Sequence, residues 1–330
     1  MKNFVSTTDM SVEDLDAFLE FAASVKAGKV EQKLAGKTLG MVFFNSSLRT
    51  RTSFEAGMFQ LGGHALNLSV GQGLWNLETR DGVVMDTDRA EHVKEAVPVL
   101  SRYVDCLAVR CFPFGNDWRE DKTDPVISAF AKYAEVPVIN MESAVWHPCQ
   151  ALADALTWNE QGLERGDSIV LTWAYHPKAL PMAVPNSTLT VAAQRGLNVT
   201  VMSPPEFKLD RDIVNAAAVT AEAAGGKVTE TTDQNALDGA RIVYAKSWGS
   251  LQAYGNPDKE RRLRDRYKDW QVTENWMKRT KGGKFMHCLP VRRNVVVSDG
   301  VLDSEYSIVV DQAENRLHAQ KALLLKMLGA

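Results

Sequence analysis

The chain has 330 residues, 45% of them hydrophobic, and a formal net charge of −3. That length and apolar content predict two domains, each with a core of its own, and the slightly acidic balance gives no electrostatic reason to expect nucleic acid, so any positive site has to be local. Met1-Lys2-Asn3-Phe4 lacks the long apolar stretch of a signal peptide and nowhere do eighteen apolar residues run together, so the expectation is a soluble, cytoplasmic protein without a membrane segment.

Taken in chain order, Ser11 followed by Asp14 marks a helix start, with Leu15, Phe18, Leu19, Ala22 and Val25 repeating at helical spacing behind it. Apolar runs at 39–44, 65–68, 106–110, 136–139, 169–173, 199–202, 242–245 and 285–287 then alternate with helix-like stretches. This alternation predicts an α/β fold of β-α-β units, with mostly parallel sheets covered on both faces. Val191, Ala192 and Leu197 close the helix before Val199, and Gly225-Gly226 closes the one before Val228. A boundary between residues 142 and 148 divides the chain into a first domain, 1–145, and a second, 146–311. A terminal helix over 312–330, with Ala313, Leu317, Ala319, Leu323 and Leu324 for burial, is expected to pack back on the first.

No G-x-G-x-x-G follows any strand, so a dinucleotide site lacks its signature. Cysteines 106, 111, 149 and 288 form no C-x-x-C pair and the six histidines no H-x-x-x-H pair, so reduced thiols, no metal and no cofactor are expected.

Candidate chemistry begins at Ser47-Leu48-Arg49-Thr50-Arg51-Thr52-Ser53, directly after the apolar run Met41-Val42-Phe43-Phe44. A helix from Thr50 to Gln60 with Phe54, Met58 and Leu61 on one face puts Ser47 near a helix N-terminus, where free N–H groups and the macrodipole favour an anion. Arg49 adds a bidentate fork. Residue type alone leaves a second role open, in which Ser46 or Ser47 caps the helix and the arginines are solvated. Likewise Arg110 is suited to pair with a surface acid, and His147 to serve as a turn residue. Thr50, Arg110, Glu142, His176, Lys246 and Cys288 all follow strand ends, where open α/β sheets bind ligands.

With His147-Pro148-Cys149-Gln150 and His287-Cys288-Leu289-Pro290 following in order, the chain resembles the aspartate/ornithine carbamoyltransferase family over its whole length. The markers Phe43-Phe44-Asn45, the Trp75 loop, Met141-Glu142, Thr172 to Pro177, Tyr244 to Trp248 and Arg292-Arg293-Asn294 resemble its N-acetylornithine and N-succinylornithine branch. The resemblance implies transfer of the carbamoyl group of carbamoyl phosphate to the δ-amine of an N-acyl-L-ornithine in arginine biosynthesis. It implies a phosphate and carbamoyl cradle of Ser47, Leu48, Arg49, Thr50, Arg110, His147, Gln150, Cys288, Leu289 and Arg316, with Thr50, Arg110 and His147 polarising the carbonyl. It implies acyl-ornithine contacts from Trp75, Ala90, Glu142, His176, Lys246, Leu289 and Arg292, Trp75 coming from a neighbouring subunit. A homotrimer with active sites between subunits is implied too, as is a trefoil knot in the second domain, threaded by the proline-rich segment from His176 to Pro185. Cys288 is not expected to be a nucleophile, because the family's reaction needs no covalent intermediate.

Ordinary ornithine enzymes of the family resemble one another in a D-x-x-x-S-M-G segment that holds the free α-amino acid group, whereas this chain has Lys246-Ser247-Trp248-Gly249. A lysine suits a carboxylate and repels an ammonium, so a masked α-nitrogen is expected. The acetyl-preferring enzymes resemble one another in an acidic residue where this chain has Ala90 and a lysine where it has Val296; both departures are expected to leave space for a succinyl tail. The rival expectations are a carbamoyltransferase acting on free ornithine or another amine, and a non-catalytic protein that binds carbamoyl phosphate.

Overall fold

The computed structural model describes residues 2–28, 33–280 and 282–329. By the density of its internal contacts the chain forms two compact units. One comprises Met1–Phe114, Arg119–Leu152 and Arg316–Ala330; the other comprises Gly115–Trp118 and Ala153–Asn315. No helix among the described residues is long and apolar enough to cross a membrane.

The strands of unit 1 are β1 (Asn3–Phe4), β2 (Thr38–Phe43), β3 (His64–Ser69), β4 (Asn76–Glu78), β5 (Arg89–His92), β6 (Cys106–Arg110) and β7 (Val138–Glu142). Among the described residues β1, β7, β6, β2 and β3 form one sheet in that order, every pairing parallel. Every residue of β6 and β7 is buried, as a sheet covered on both faces demands. Val42, Leu107, Val109, Val126, Ile127 and Phe130 belong to the core cluster on one side of it, each such side chain stabilising the fold by roughly 1.5–3 kcal/mol through burial. The first helix, Val12–Lys26, is capped as its sequence predicts: the Ser11 hydroxyl accepts from the Asp14 N–H at 3.0 Å, and Leu15, Phe18, Leu19, Ala22 and Val25 are buried.

Unit 2 contains β8 (Ser168–Trp173), β9 (Asn198–Met202), β10 (Lys227–Thr231), β11 (Ile242–Lys246) and β12 (Lys284–Met286). Its sheet runs β10-β9-β8-β11-β12, again all parallel. The last helix, Val309–Leu328, begins before the expected Gln312; Ala330 lies outside the described residues.

Both sheet orders reverse direction once. From β2 the chain steps to β3 on one side and later returns to β6 on the other; from β8 it steps to β9 and later returns to β11. Such a reversal leaves a crevice at the carboxyl ends of the two central strands, because their connections leave towards opposite edges. In unit 1 those ends are Phe43 and Arg110, which face each other in register, with the Phe44 N–H donating to the Arg110 carbonyl at 2.9 Å. In unit 2 they are Trp173 and Lys246, with the Ala174 N–H donating to the Lys246 carbonyl at 3.2 Å.

Candidate active site

The helix after β2 runs Arg49–Gln60, and its N-cap residue is Leu48. No side chain caps it, so neither Ser46 nor Ser47 plays the capping role that residue type left open. The first-turn N–H groups therefore keep their attraction for an anion. Leu48 is 72% exposed, while Ser47 and Arg49 are half-buried beside it. The remainder of the motif is tied up in contacts within unit 1. The Arg51 guanidinium lies over the Phe43 ring at 4.8 Å and donates to Ser69 Oγ at 2.9 Å, and the Thr52 hydroxyl donates to the Leu48 carbonyl at 2.9 Å. The motif thus presents Ser47, the Leu48 backbone, Arg49 and Thr50, and uses its second half for packing.

Thr50 is buried, and its Oγ1 accepts from Arg316 Nη2 at 3.0 Å. The other terminal nitrogen of Arg316 donates to Gln150 Oε1 at 2.9 Å. One buried guanidinium thus joins residues 50, 150 and 316, which sequence alone keeps far apart. Gln150 stands in the first turn of the helix Pro148–Glu160, where Pro148 at the first position has no N–H to leave unsatisfied and the Gln150 N–H donates to the His147 carbonyl at 3.0 Å.

Arg110 and Glu142 end β6 and β7, and Arg110 Nη1 pairs with Glu142 Oε2. His147 Nε2 lies 3.4 Å from the same carboxylate oxygen, and all three residues are buried. The Arg110 guanidinium rests over the Phe112 ring at 4.6 Å, and its Nε is buried without a hydrogen-bond partner among the described residues. A buried donor left unsatisfied costs about 1–3 kcal/mol, which an acceptor brought by a ligand would recover. Sequence reasoning put Arg110 and Glu142 on different substrates and missed their pairing, since the signal lies only in the register of two adjacent strands.

In unit 2, Lys246 is buried at the end of β11, and His176 follows β8. Arg292 Nε donates to His176 Nε2 at 3.0 Å. A guanidinium only donates, so Nε2 is the acceptor here, while Nδ1 lies 2.9 Å from the Lys178 carbonyl and 3.0 Å from the Lys178 N–H. Burial lowers the His176 pKa, the Lys178 carbonyl opposes this, and the positive charges of Arg292, Lys246 and Arg264 lower it further. The arrangement is a cationic face built around a neutral imidazole.

The segment after β12 is held from beneath. Gln312 Oε1 accepts the His287 N–H at 3.0 Å while its amide donates to Asp154 Oδ1 at 2.7 Å and to the Tyr244 hydroxyl at 3.1 Å. The Leu289 N–H donates to His287 Nδ1 at 2.9 Å, and Leu289 adopts a left-handed backbone, φ 56°. A left-handed backbone at a non-glycine residue is costly and persists because its surroundings hold it. Sequence reasoning missed Gln312 and Asp154 in this role; the last helix also buries Asn315, Arg316 and Gln320, so Gln312 did not stand out as a lone buried polar residue.

Trp75 and Ala90 are exposed on the segment that carries β4 and β5, with Trp75 Nε1 donating to Glu91 Oε2 at 2.8 Å. One expectation is corrected. Val296 is 1% exposed and lies in the core cluster with Val243, Phe285 and Trp276, so it lines no open space for a succinyl tail. Cys106, Cys111 and Cys149 are buried, and burial pushes the Cys149 thiol up to about 12 against the lowering effect of Arg316, so none of the three is a ready nucleophile.

Two parallel sheets flanked by helices, each with cationic side chains at or just past the ends of the strands that flank its reversal, define an open-sheet α/β protein. Residues 2–160 match the carbamoyl-phosphate-binding domain of aspartate/ornithine carbamoyltransferases and residues 182–327 match their aspartate/ornithine-binding domain. The chain belongs to the aspartate/ornithine carbamoyltransferase family. It is 48% identical over 334 residues to the N-acetylornithine carbamoyltransferase of Xanthomonas campestris pv. campestris, covering 100% of this chain and 98% of that one. It is 35% identical over 330 residues to the N-succinylornithine carbamoyltransferase of Bacteroides thetaiotaomicron, covering 99% of each. The crystal structure of acetylornithine transcarbamylase complexed with acetylcitrulline superimposes with a TM-score of 0.97 at 48% identity, covering 100% of both chains.

Proposed function

We propose that this protein transfers the carbamoyl group of carbamoyl phosphate to the δ-amine of an N-acyl-L-ornithine, giving N-acyl-L-citrulline and phosphate. The observation that carries the reading is Arg316 bridging Thr50 and Gln150 beside an uncapped helix start. Ser47, the Leu48 N–H, Arg49, Thr50 and Arg316 hold the phosphate; Thr50, Arg110 and His147 take the charge that grows on the carbonyl oxygen; Gln150 and the Cys288 and Leu289 carbonyls accept from the carbamoyl NH2. The amine nitrogen bonds to the carbamoyl carbon, the carbon–oxygen bond to phosphate breaks, and the departing phosphate takes the amine proton. A single donor of this oxyanion-stabilising kind is worth about 2.7–4 kcal/mol.

A masked α-nitrogen is supported by Lys246, Arg292 and neutral His176, a set that attracts the substrate carboxylate and repels a second ammonium. Glu142 and Leu289 complete the acyl-ornithine contacts. The active form is a homotrimer in which Trp75 reaches a neighbouring subunit; the exposed Phe59, Leu66 and Trp75 and the uncovered edge of β3 support this. The second unit carries a trefoil knot threaded through the segment from His176 to Pro185, and the enzyme acts in the cytoplasm.

N-succinyl-L-ornithine is the favoured substrate, because exposed Ala90 is small and uncharged and the cationic face suits an added carboxylate. N-acetyl-L-ornithine is the second reading, favoured by the 48% identity to an enzyme of that name. Turnover measured side by side with N-succinyl-, N-acetyl- and free L-ornithine is expected to show product from the acylated forms alone. Ala90→Glu is expected to shift the ratio of specificity constants towards the acetyl substrate. An unchanged ratio would overturn this view of residue 90, and efficient use of free ornithine would overturn the acyl requirement.

A further inference from the structure

Residues 143–146 form a tight turn between two members of the unit 1 site, Glu142 at the end of β7 and His147 ahead of Pro148, so the shape of the turn sets where His147 stands. The turn closes on itself: the Ser143 N–H donates to the Trp146 carbonyl at 2.8 Å, and the Trp146 N–H to Ser143 Oγ at 3.1 Å. It is also gripped by one carboxylate from elsewhere in the unit. Asp124 Oδ1 accepts from the N–H groups of Ala144 at 2.8 Å and Val145 at 3.2 Å, and Oδ2 accepts from Ser143 Oγ at 2.7 Å.

Asp124 occupies the N-cap position of the helix Pro125–Tyr133, the usual place for an aspartate to cap, yet its side chain makes no bond to that helix. It is 8% exposed and its backbone is left-handed, φ 49°. Burial pushes the carboxyl up to about 6, the nearby Asp121 carboxylate adds to the rise, and the Ser143 hydroxyl and the two amides oppose it; the Cys111 thiol is also within its electrostatic reach. A left-handed non-glycine residue and a buried carboxylate are each costly, and a helix cap requires neither.

We propose that Asp124 is a positioning residue for carbamoyl transfer, its carboxylate holding the 143–146 turn so that His147 is set against Glu142 and Arg110. The proposal rests on the role given to His147 above. It is tested by a double-mutant cycle of Asp124→Ala and His147→Ala, read as kcat and KM for carbamoyl phosphate, with calorimetric titration of inorganic phosphate checking that the cradle is intact. His147→Ala alone is expected to lower kcat about 100-fold. Asp124→Ala alone is expected to lower kcat about tenfold with KM nearly unchanged, and to have almost no further effect in the His147→Ala protein, since residues acting as a unit are non-additive. Asp124→Asn keeps the oxygen that both amides use and is expected to recover kcat to within about threefold of the parent.

If Asp124→Ala does not fold, Ser143→Ala removes one of the three bonds to Asp124 together with the bonds that Ser143 Oγ accepts from the Trp146 N–H and Asn140, and is expected to lower kcat about threefold, again only while His147 is present. Independent, multiplying effects of residues 124 and 147 would overturn the proposal while leaving the site intact, as would an Asp124→Asn protein no better than Asp124→Ala. If His147→Ala leaves kcat unchanged, the role given to His147 fails first.

Discussion

Single side chains in this molecule are set by what surrounds them more than by their type. His176 is the clearest case, because a cationic neighbour donates to its Nε2 and burial disfavours its charge. A histidine whose pKa lies below its ordinary 6.5 in the fold keeps its neutral contacts above pH 6.5 and loses them, with the stability they contribute, as pH falls through the lowered value. NMR titration of the imidazole is expected to place His176 below 6.5, and Arg292→Ala to raise it, since the substitution removes both the donor to Nε2 and a positive charge. A titration unmoved by Arg292→Ala would mean that the pair is not formed in solution. The same dependence on neighbours governs Arg110, whose choice between an internal acid and a ligand is decided by Glu142 on the adjacent strand.

Among the elements, the segment holding β4 and β5 shows how a polar stretch keeps its shape. Glu78, with its side chain almost fully buried, accepts from Arg80 and from Arg89, each at 2.9 Å, and from the N–H groups of Thr79 and Arg80. The Arg80 side-chain bond is the largest cause of a carboxyl pKa lowered to about 2 from its ordinary 4.5. A lowered acid contributes stability that is fully present above 4.5 and lost as pH falls through 2. Glu78→Gln is therefore expected to reduce hydrogen-exchange protection of the Thr79 and Arg80 amides at neutral pH, with the difference from the parent shrinking as pH falls towards 2. Equal protection at neutral pH would show that Glu78 does not order the segment. None of this was legible in the sequence, because β4 and β5 have no apolar run and their order comes from ion pairs. β10 escaped for a related reason: Lys227–Thr231 is an edge strand that alternates polar residues instead of burying a continuous stretch. The central strands, buried throughout, were legible from their apolar runs, and so was the placing of Arg110, Glu142 and Lys246 at strand ends. The bridge from Arg316 to Thr50 spans 266 positions, so no local pattern could reveal it and only the family resemblance grouped the two.

Across the whole molecule, two parallel sheets share one layout, each with a single reversal in strand order. In the proposed reaction, unit 1 is expected to supply hydroxyls, guanidinium groups and helix N–H groups for a phosphorylated carbamate, and unit 2 to supply Lys246, His176 and Arg292 for a carboxylate-bearing amine. In both, proposed site residues follow the strands flanking the reversal in strand order, Thr50 and Arg110 after β2 and at the end of β6, and His176 and Lys246 after β8 and at the end of β11. We propose that residues 47–50, with Arg110, His147 and Arg316, hold carbamoyl phosphate during its attack by an N-acylated ornithine. The most direct test is a crystal structure with carbamoyl phosphate and N-succinyl-L-norvaline, which lacks the δ-amine and so stops the reaction. Density is expected to show the phosphate on Ser47, the Leu48 N–H, Arg49, Thr50 and Arg316, and the carbonyl oxygen on Thr50, Arg110 and His147. Carbamoyl phosphate bound elsewhere, or with its phosphate away from Arg49 and Arg316, would contradict the account.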